Sequence, residues 1–137
     1  MADPVADPVA DPVVPVSWGE LLDKIAILEI KRVRLRAPTA LANAERELAA
    51  LGPALAVLEP APTGLAELRA ALAAVNQRLW TIEDQIREKD AQGDFGPDFV
   101  ALARSVYREN DERVRIKQAI NVLLGSGLME EKQYSAY

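Results

Sequence analysis

The chain has 137 residues, of which 50% are hydrophobic, and a formal net charge of −5. This length suffices for one domain with a hydrophobic core. The absence of cysteine and histidine excludes disulfides, thiol nucleophiles, imidazole bases and zinc sites built from these residues. The acidic charge argues against nucleic-acid binding, which needs a basic face, and no apolar run is long enough to cross a membrane. Because no signal-peptide pattern is found either, we expect a cytoplasmic protein without a metal or other cofactor.

The N-terminal segment, residues 1–16, is predicted to be an extended or disordered tail. Residues 2–13 are three tandem copies of Ala-Asp-Pro-Val, and a proline at every fourth position is incompatible with a helix. The same composition leaves open a polyproline-like peptide that docks on a partner. We predict that one helical domain follows over residues 17–125, and that residues 126–137 form a C-terminal tail.

The first helix is predicted over about residues 18–36. Ser17 and Glu20 have the spacing of a capping box at its start, and Pro38 follows its end. Its apolar residues form a stripe that is wide enough to contact more than one neighbour. Basic residues near its end are expected to be solvated and to interact with the helix dipole, although a contact with an acidic partner or with anionic headgroups stays open. These basic residues are Lys31, Arg32, Arg34 and Arg36.

The second helix is predicted over about residues 40–58 from leucines that are spaced by threes and fours. Gly52 and Pro53 interrupt this helix without changing the phase of the spacing. We therefore expect a kink or a short break there, followed by another helical turn.

A long antiparallel helical hairpin is the clearest prediction. Apolar residues alternate by three and four positions over about residues 64–91 and again over about 97–124, which is the period of a coiled-coil seam. A turn that contains glycine and proline reverses the chain between them. One alignment, with Leu72 opposite Ile116 and Leu79 opposite Glu109, pairs the two seams along their whole length. The predicted fold is therefore all-α, with the two N-terminal helices packed on this hairpin.

The middle of the hairpin seam is polar. Glu109 and Arg113 occupy seam positions, and charges there need partners because the desolvation of an unpaired charge is costly. Further amides, charges and aromatic rings fall on the adjoining positions of both helices. We predict either a satisfied interhelical network or a site for a ligand or partner. The candidate residues are Asn76, Trp80, Glu83, Arg87, Tyr107, Glu109, Asn110, Arg113, Lys117 and Asn121.

Four segments, in this order, resemble a family of uncharacterised small bacterial proteins. The segments are PVSWGELLDKIAILEIK from Pro15, NQRLWTIEDQIREK from Asn76, FVALARSVYRENDERVRIKQAIN from Phe99 and LLGSGLMEEKQY from Leu123. Some members of that family occur next to, or are fused to, glycosyltransferase or tetratricopeptide proteins of cell-surface polysaccharide assembly. The resemblance implies an accessory role in that process and assigns no catalytic residue.

Three functions are compatible with the sequence. The first, a non-enzymatic adaptor or scaffold that binds itself or a protein partner through its helical faces, is favoured by the coiled-coil period and by the missing catalytic residue types. The second is a small all-α sensor or enzyme that binds an anionic ligand in the polar layer by charge stabilisation. The third is metal-dependent nucleotide hydrolysis by helical carboxylates, which is less favoured because such carboxylates are ordinary on solvated helix faces.

Overall fold

A computed structural model describes residues 7–133 of the chain. The first ADPV repeat, the start of the second, and Tyr134 to Tyr137 in the predicted C-terminal tail lie outside the described residues. Within residues 7–133 no helix combines the length and the apolar character that a membrane span requires. The all-α fold is confirmed, and the two hairpin helices agree with their predicted bounds to within one residue. The helices are α1 over Trp18–Arg34, α2 over Pro38–Leu51, α3 over Leu65–Ala91 and α4 over Pro97–Leu124.

Helix α1 begins directly after a capping residue, Ser17. Residues 7–16 are exposed and adopt neither helix nor strand. The Ser17 hydroxyl accepts a hydrogen bond from the Glu20 backbone N–H at 3.1 Å, which satisfies one of the amides that the first turn leaves without a helical partner. The Glu20 carboxylate points to α4, where it accepts a hydrogen bond from Lys117 at 2.8 Å. The start of α1 is therefore fixed both locally and by the hairpin.

Helix α2 gives way to a 3-10 helix over Gly52–Leu58. Pro53 has no N–H with which to continue the α-helical hydrogen bonds, and the following turns tighten. The predicted break is thus confirmed, and the helical turns after it are of the 3-10 type. Helix α2 packs on α1, where Lys24 and Glu47 form a surface ion pair at 2.8 Å.

Helices α3 and α4 form the predicted hairpin. Each is about 40 Å long at 1.5 Å per residue. Arg78 contacts Glu109 and Lys89 contacts Asp98, so the residue numbers rise along one helix as they fall along the other. The two helices are therefore antiparallel. At the end of α4, Gly125 adopts the left-handed conformation with φ of 65°, as expected for a C-terminal cap.

The core occupies only one half of the hairpin. Helix α1 contacts α2, α3 and α4, which confirms the prediction from its wide apolar stripe. Every fully buried residue of the hairpin lies at or before Asn76 on α3, or at or after Ile116 on α4. The far half, residues 77–115, has only half-buried and exposed side chains. The buried apolar cluster consists of Leu22, Ala26, Leu65, Leu72, Val75, Ile116 and Ile120.

Candidate functional site

Asp23 of α1 is the centre of a group of polar side chains between α1, α3 and α4. We call it the closed group, and its members are Asp23, Asn76, Arg113 and Lys117. Asp23 is 1% exposed. Its Oδ1 accepts hydrogen bonds from Arg113 Nε and from Asn76 Nδ2, each at 2.9 Å, and its Oδ2 contacts Arg113 Nη2. Lys117 Nζ lies 3.9 Å from the same Oδ2. The charge of this buried carboxylate is balanced by two cations, and an amide adds a hydrogen bond. A buried charge requires such partners.

Lys117 connects this group to the chain beyond α4. The residue is only 6% exposed, and its ammonium donates hydrogen bonds to Glu20 at 2.8 Å and to Glu130 at 2.9 Å. Burial opposes the charge on Lys117, but the hydrogen bonds with the two carboxylates prevail and raise its pKa. The hydrogen bond from Lys117 in turn lowers the pKa of Glu130. Lys117 therefore stays charged at neutral pH and holds α1, α4 and Glu130 together.

The segment that follows α4, residues 126–133, returns to the start of α1 and to the side of α4 that carries Lys117. We call it the C-terminal strap. Ser126 Oγ accepts a hydrogen bond from the Trp18 backbone N–H at 2.9 Å. Further along, Gln118 Nε2 donates to the backbone carbonyl of Glu130 at 3.2 Å. The strap thereby ties the start of α1 to the end of α4.

Gly19 allows α1 to approach α4 at backbone distance. Its N–H donates to Asn121 Oδ1 at 2.6 Å. A Cβ at position 19 would lie 2.4 Å from the Lys117 carbonyl oxygen and 2.9 Å from Asn121 Oδ1. Because real Cβ atoms do not approach that closely, only glycine fits. This contact places Asp23, one turn further along α1, beside Arg113.

An open cavity of about 620 Å³ lies beside the closed group, between α1, α3 and α4. That volume is within the range of ligand-binding pockets. Asn76 and Arg113 belong to both the closed group and the cavity lining, so the cavity begins where the closed group ends. The hydrogen bonds that Arg113 donates to Asp23 outweigh burial and raise the pKa of Arg113, which keeps it cationic. The other lining residues are Ile27, Ile30, Leu79, Trp80, Glu83, Asp84, Arg87 and Asn110.

The cavity combines apolar walls with a charged rim. Of the charged residues that line it, Arg87 lies 3.8 Å from Glu83, and Arg113 is paired with Asp23. Asp84 makes no ion pair within residues 7–133. Asp84 is therefore a carboxylate without an ion pair beside an accessible apolar surface.

The predicted site residues are distributed over three places. Glu109 pairs with Arg78 at 2.9 Å, and Tyr107 is 39% exposed with the guanidinium of Arg108 at 5.7 Å from its ring centre. Neither Glu109 nor Tyr107 lines the cavity. Lys117 lies in the closed group, and Asn121 lies one turn further along α4, in contact with Gly19. The cavity brings together Asn76, Trp80, Glu83, Arg87, Asn110 and Arg113.

Sequence reasoning missed Asp23, around which the closed group is built. Gly19, Asp23, Ile27 and Ile30 are spaced by four, four and three positions, so an acidic residue stands on an otherwise apolar helix face. That pattern was the available signal. Glu130 was also missed, because its partner Lys117 lies on a different element and no local pattern marks the pair.

The profile of one protein family matches most of the chain. The profile of a family of unknown function, DUF6165, matches residues 13–137. The chain belongs to this family. The DUF6165 match covers every residue of the closed group and of the cavity, and it leaves out most of the ADPV repeats. No curated protein and no solved structure matches the chain significantly.

Proposed function

We propose that this DUF6165 protein is a non-enzymatic adaptor that binds a basic, partly apolar segment of a protein partner in the open cavity. The observation that carries the proposal is Asp84, a carboxylate without an ion-pair partner within residues 7–133, beside the aliphatic side chains of Ile27, Ile30 and Leu79. A lysine or arginine on an apolar segment suits both features. Its stem covers aliphatic surface while its charged head meets the carboxylate.

The closed group supports a binding role rather than catalysis. Arg113 and Lys117 are held by carboxylates that raise the pKa of both, so neither releases a proton at neutral pH. A general acid or base that works at neutral pH needs a pKa near that pH, and the sequence contains no histidine. We assign these internal charges the role of holding α1, α3, α4 and the C-terminal strap in one arrangement around the cavity.

An anionic ligand, the alternative function, has less support. Arg87 and Arg113 line the cavity, but Glu83 and Asp23 respectively lie against them. An incoming anion would also meet the uncompensated Asp84. To take Arg113 from Asp23 would break a buried pair, for which losses of about 3–5 kcal/mol are typical.

The resemblance to a family with members beside or fused to proteins of surface-polysaccharide assembly extends the proposal to the process in which the chain acts. We propose that the chain serves in the cytoplasm as an accessory to a glycosyltransferase or a tetratricopeptide protein of that process. The support is the implied accessory role alone. A tagged chain should then co-purify with such a protein.

Binding to the cavity is tested with Trp80 as the reporter. In a Trp18→Phe chain, Trp80 is the sole tryptophan, because the sequence has two. The probe is a synthetic helical peptide of about 15 residues, a length at which isolated helices begin to be stable, with leucines on one face and lysines beside them. The control peptide has glutamate in place of lysine. We expect a saturable change in Trp80 emission with the lysine peptide and none with the glutamate peptide.

A matched pair of variants assigns this binding to Asp84. Asp84→Asn in the same background removes the charge at constant size and should weaken binding of the lysine peptide by about three- to tenfold. Glu67→Gln makes the same change on the exposed first turn of α3 and should have no effect. Equal binding of the two peptides, or binding that is indifferent to Asp84→Asn, would contradict the proposal.

A further inference from the structure

We infer that the segment which the cavity takes is the basic end of α1 from a second copy of this chain, so that two copies form a symmetric dimer. The inference rests on the proposed function, because it names the partner of the same cavity. We define the basic end of α1 as residues 31–36.

The basic end of α1 has the chemistry that the cavity requires. Val33 is an apolar residue between basic neighbours, and its side chain is 83% exposed. Arg32 and Arg36 are also exposed, and neither makes an ion pair within residues 7–133. This segment therefore presents an exposed apolar side chain between guanidinium groups that lack an opposite charge. The C-terminal dipole of α1 favours cations in its last turn, but it accounts neither for the exposed Val33 nor for Arg36, which lies beyond the end of the helix.

Arg34 of the basic end lies against Trp80 at the edge of the cavity of its own copy, but the exposed Arg32, Val33 and Arg36 cannot turn into that cavity. Ile27 and Ile30 of α1 already form part of the cavity wall, and the helix continues without a break to Arg34. The chain then enters α2 at Pro38, so no free length remains that would let the segment fold back. The cation assigned to Asp84 therefore comes from these exposed residues of another molecule.

A twofold axis beside the cavity satisfies both copies at once. The basic end and the cavity are neighbours on one molecule, since the guanidinium of Arg34 lies 5.9 Å from the ring centre of Trp80, a lining residue. Two surfaces that are adjacent and complementary on one chain form a closed dimer in which every contact occurs twice. The net charge of the chain is −5, so two copies repel each other except where one presents cations to the carboxylates of the other.

Sedimentation velocity of the full chain at a series of concentrations tests the inference. At low salt we expect a species of twice the 14.9 kDa chain mass. Its dissociation should increase towards about 1 M salt, where the Debye length falls to about 3 Å. Asp84→Arg and Arg32→Asp each place like charges at both contacts of the dimer, and each should weaken association by about tenfold or more. Glu67→Arg makes the same charge change at the exposed start of α3 and should leave the dimer intact.

The decisive measurement is an equimolar mixture of the Asp84→Arg and Arg32→Asp chains. In the mixed dimer, the introduced arginine meets the introduced aspartate at one contact, and the native Arg32 and Asp84 meet at the other. Both contacts are then attractive, so two chains that are monomeric alone should form a dimer together. Thermal unfolding of each variant establishes that it is folded before it is mixed.

Three results would overturn the inference: a wild-type chain that sediments as a monomer at every concentration, a dimer that survives both charge reversals, and reversals that abolish the dimer without rescue in the mixture. The proposed function has a separate readout. A monomeric chain whose Trp80 emission still responds to the lysine peptide through Asp84 would retain the adaptor proposal and lose only the dimer.

Discussion

The closed group around Asp23 and the open cavity next to it both contain charged side chains and amides. The two regions differ in whether their aspartate carboxylate has an ion-pair partner. In the closed group, the Asp23 carboxylate has its cations and its amide donor in place, and the strap contacts Lys117 through Glu130. In the cavity, Asp84 makes no ion pair within residues 7–133, and the surface around it is accessible. A buried network that is complete serves the fold. A charge left without a partner beside apolar surface is instead available for binding.

The largest effect should follow from removal of the centre of the closed group. Asp23→Ala leaves Arg113 and Lys117 without their shared carboxylate, and the loss of one partner from a buried charge pair costs about 3–5 kcal/mol. Urea denaturation should show this as a lower free energy of unfolding. Lys24→Ala is the matched control. Lys24 follows Asp23 in the sequence but forms only a surface ion pair with Glu47, so its removal should cost about 1 kcal/mol or less. If both variants lost the same free energy of unfolding, the closed group would contribute no more to stability than a surface ion pair does.

A second large effect is expected at the contact that closes the group. Gly19→Ala pushes a methyl group against the Lys117 carbonyl oxygen, and overpacking of this kind costs about 1–3 kcal/mol. Gly52→Ala is the control: Gly52 has φ of −54°, and no atom lies within 4 Å of a Cβ there. That substitution should be neutral or stabilising by up to about 1 kcal/mol. Thermal unfolding of the two variants measures the contrast, and a Gly19→Ala chain as stable as Gly52→Ala would disprove the close approach.

The contact of the strap with the closed group should depend on pH in a defined direction. Lys117 lowers the pKa of Glu130 below its ordinary value of 4.5, so this pair stabilises the fold above about pH 4.5 and loses its contribution as the pH falls further. On the alkaline side, the pKa of Lys117 is raised above 10.5, so its contribution is present below pH 10.5 and is lost as the pH rises through the raised value. Between these limits the pair should add no pH dependence.

Hydrogen exchange of residues 126–133 measures this dependence. Protection of the strap should fall on the acid side in the wild-type chain. In Glu130→Gln, protection should already be lower at neutral pH and should change less with acid. Glu131→Gln alters the exposed neighbour and should behave as the wild type. An acid response that persists unchanged in Glu130→Gln would show that another group holds the strap.

The smallest effects on stability belong to the rim of the cavity. Glu83→Gln and Asp84→Asn change exposed side chains, and each should alter the free energy of unfolding by no more than about 0.5 kcal/mol. Asp84→Asn should nevertheless weaken binding, as set out above. If it destabilised the chain as strongly as Asp23→Ala, the rim and the closed group would form one structural network and the contrast between them would fail.

The sequence predicted the fold more completely than the site. The bounds of α3 and α4 and the break at Gly52 follow from apolar spacing and from turn residues, which act over a few positions. The same spacing identified Asn76 and Trp80 as neighbours on the polar side of the hairpin. It did not identify Asp84 as the unpaired charge, because pairing depends on which cations other elements bring close. Nor did it indicate that Glu109 pairs with Arg78 outside the cavity.

The sequence by itself determined the four α-helices, the antiparallel hairpin and the polar stretch in the middle of its seam, since each of these depends on periodicity within one segment. Only the tertiary structure decided which polar residues are closed off and which remain open. The bond between Arg113 and Asp23 joins positions 90 residues apart, and the contact of Gly19 with Asn121 joins positions 102 apart. Such pairs form only when α1 packs into the hairpin, and the packing geometry of three helices is not encoded in the pattern of any one of them.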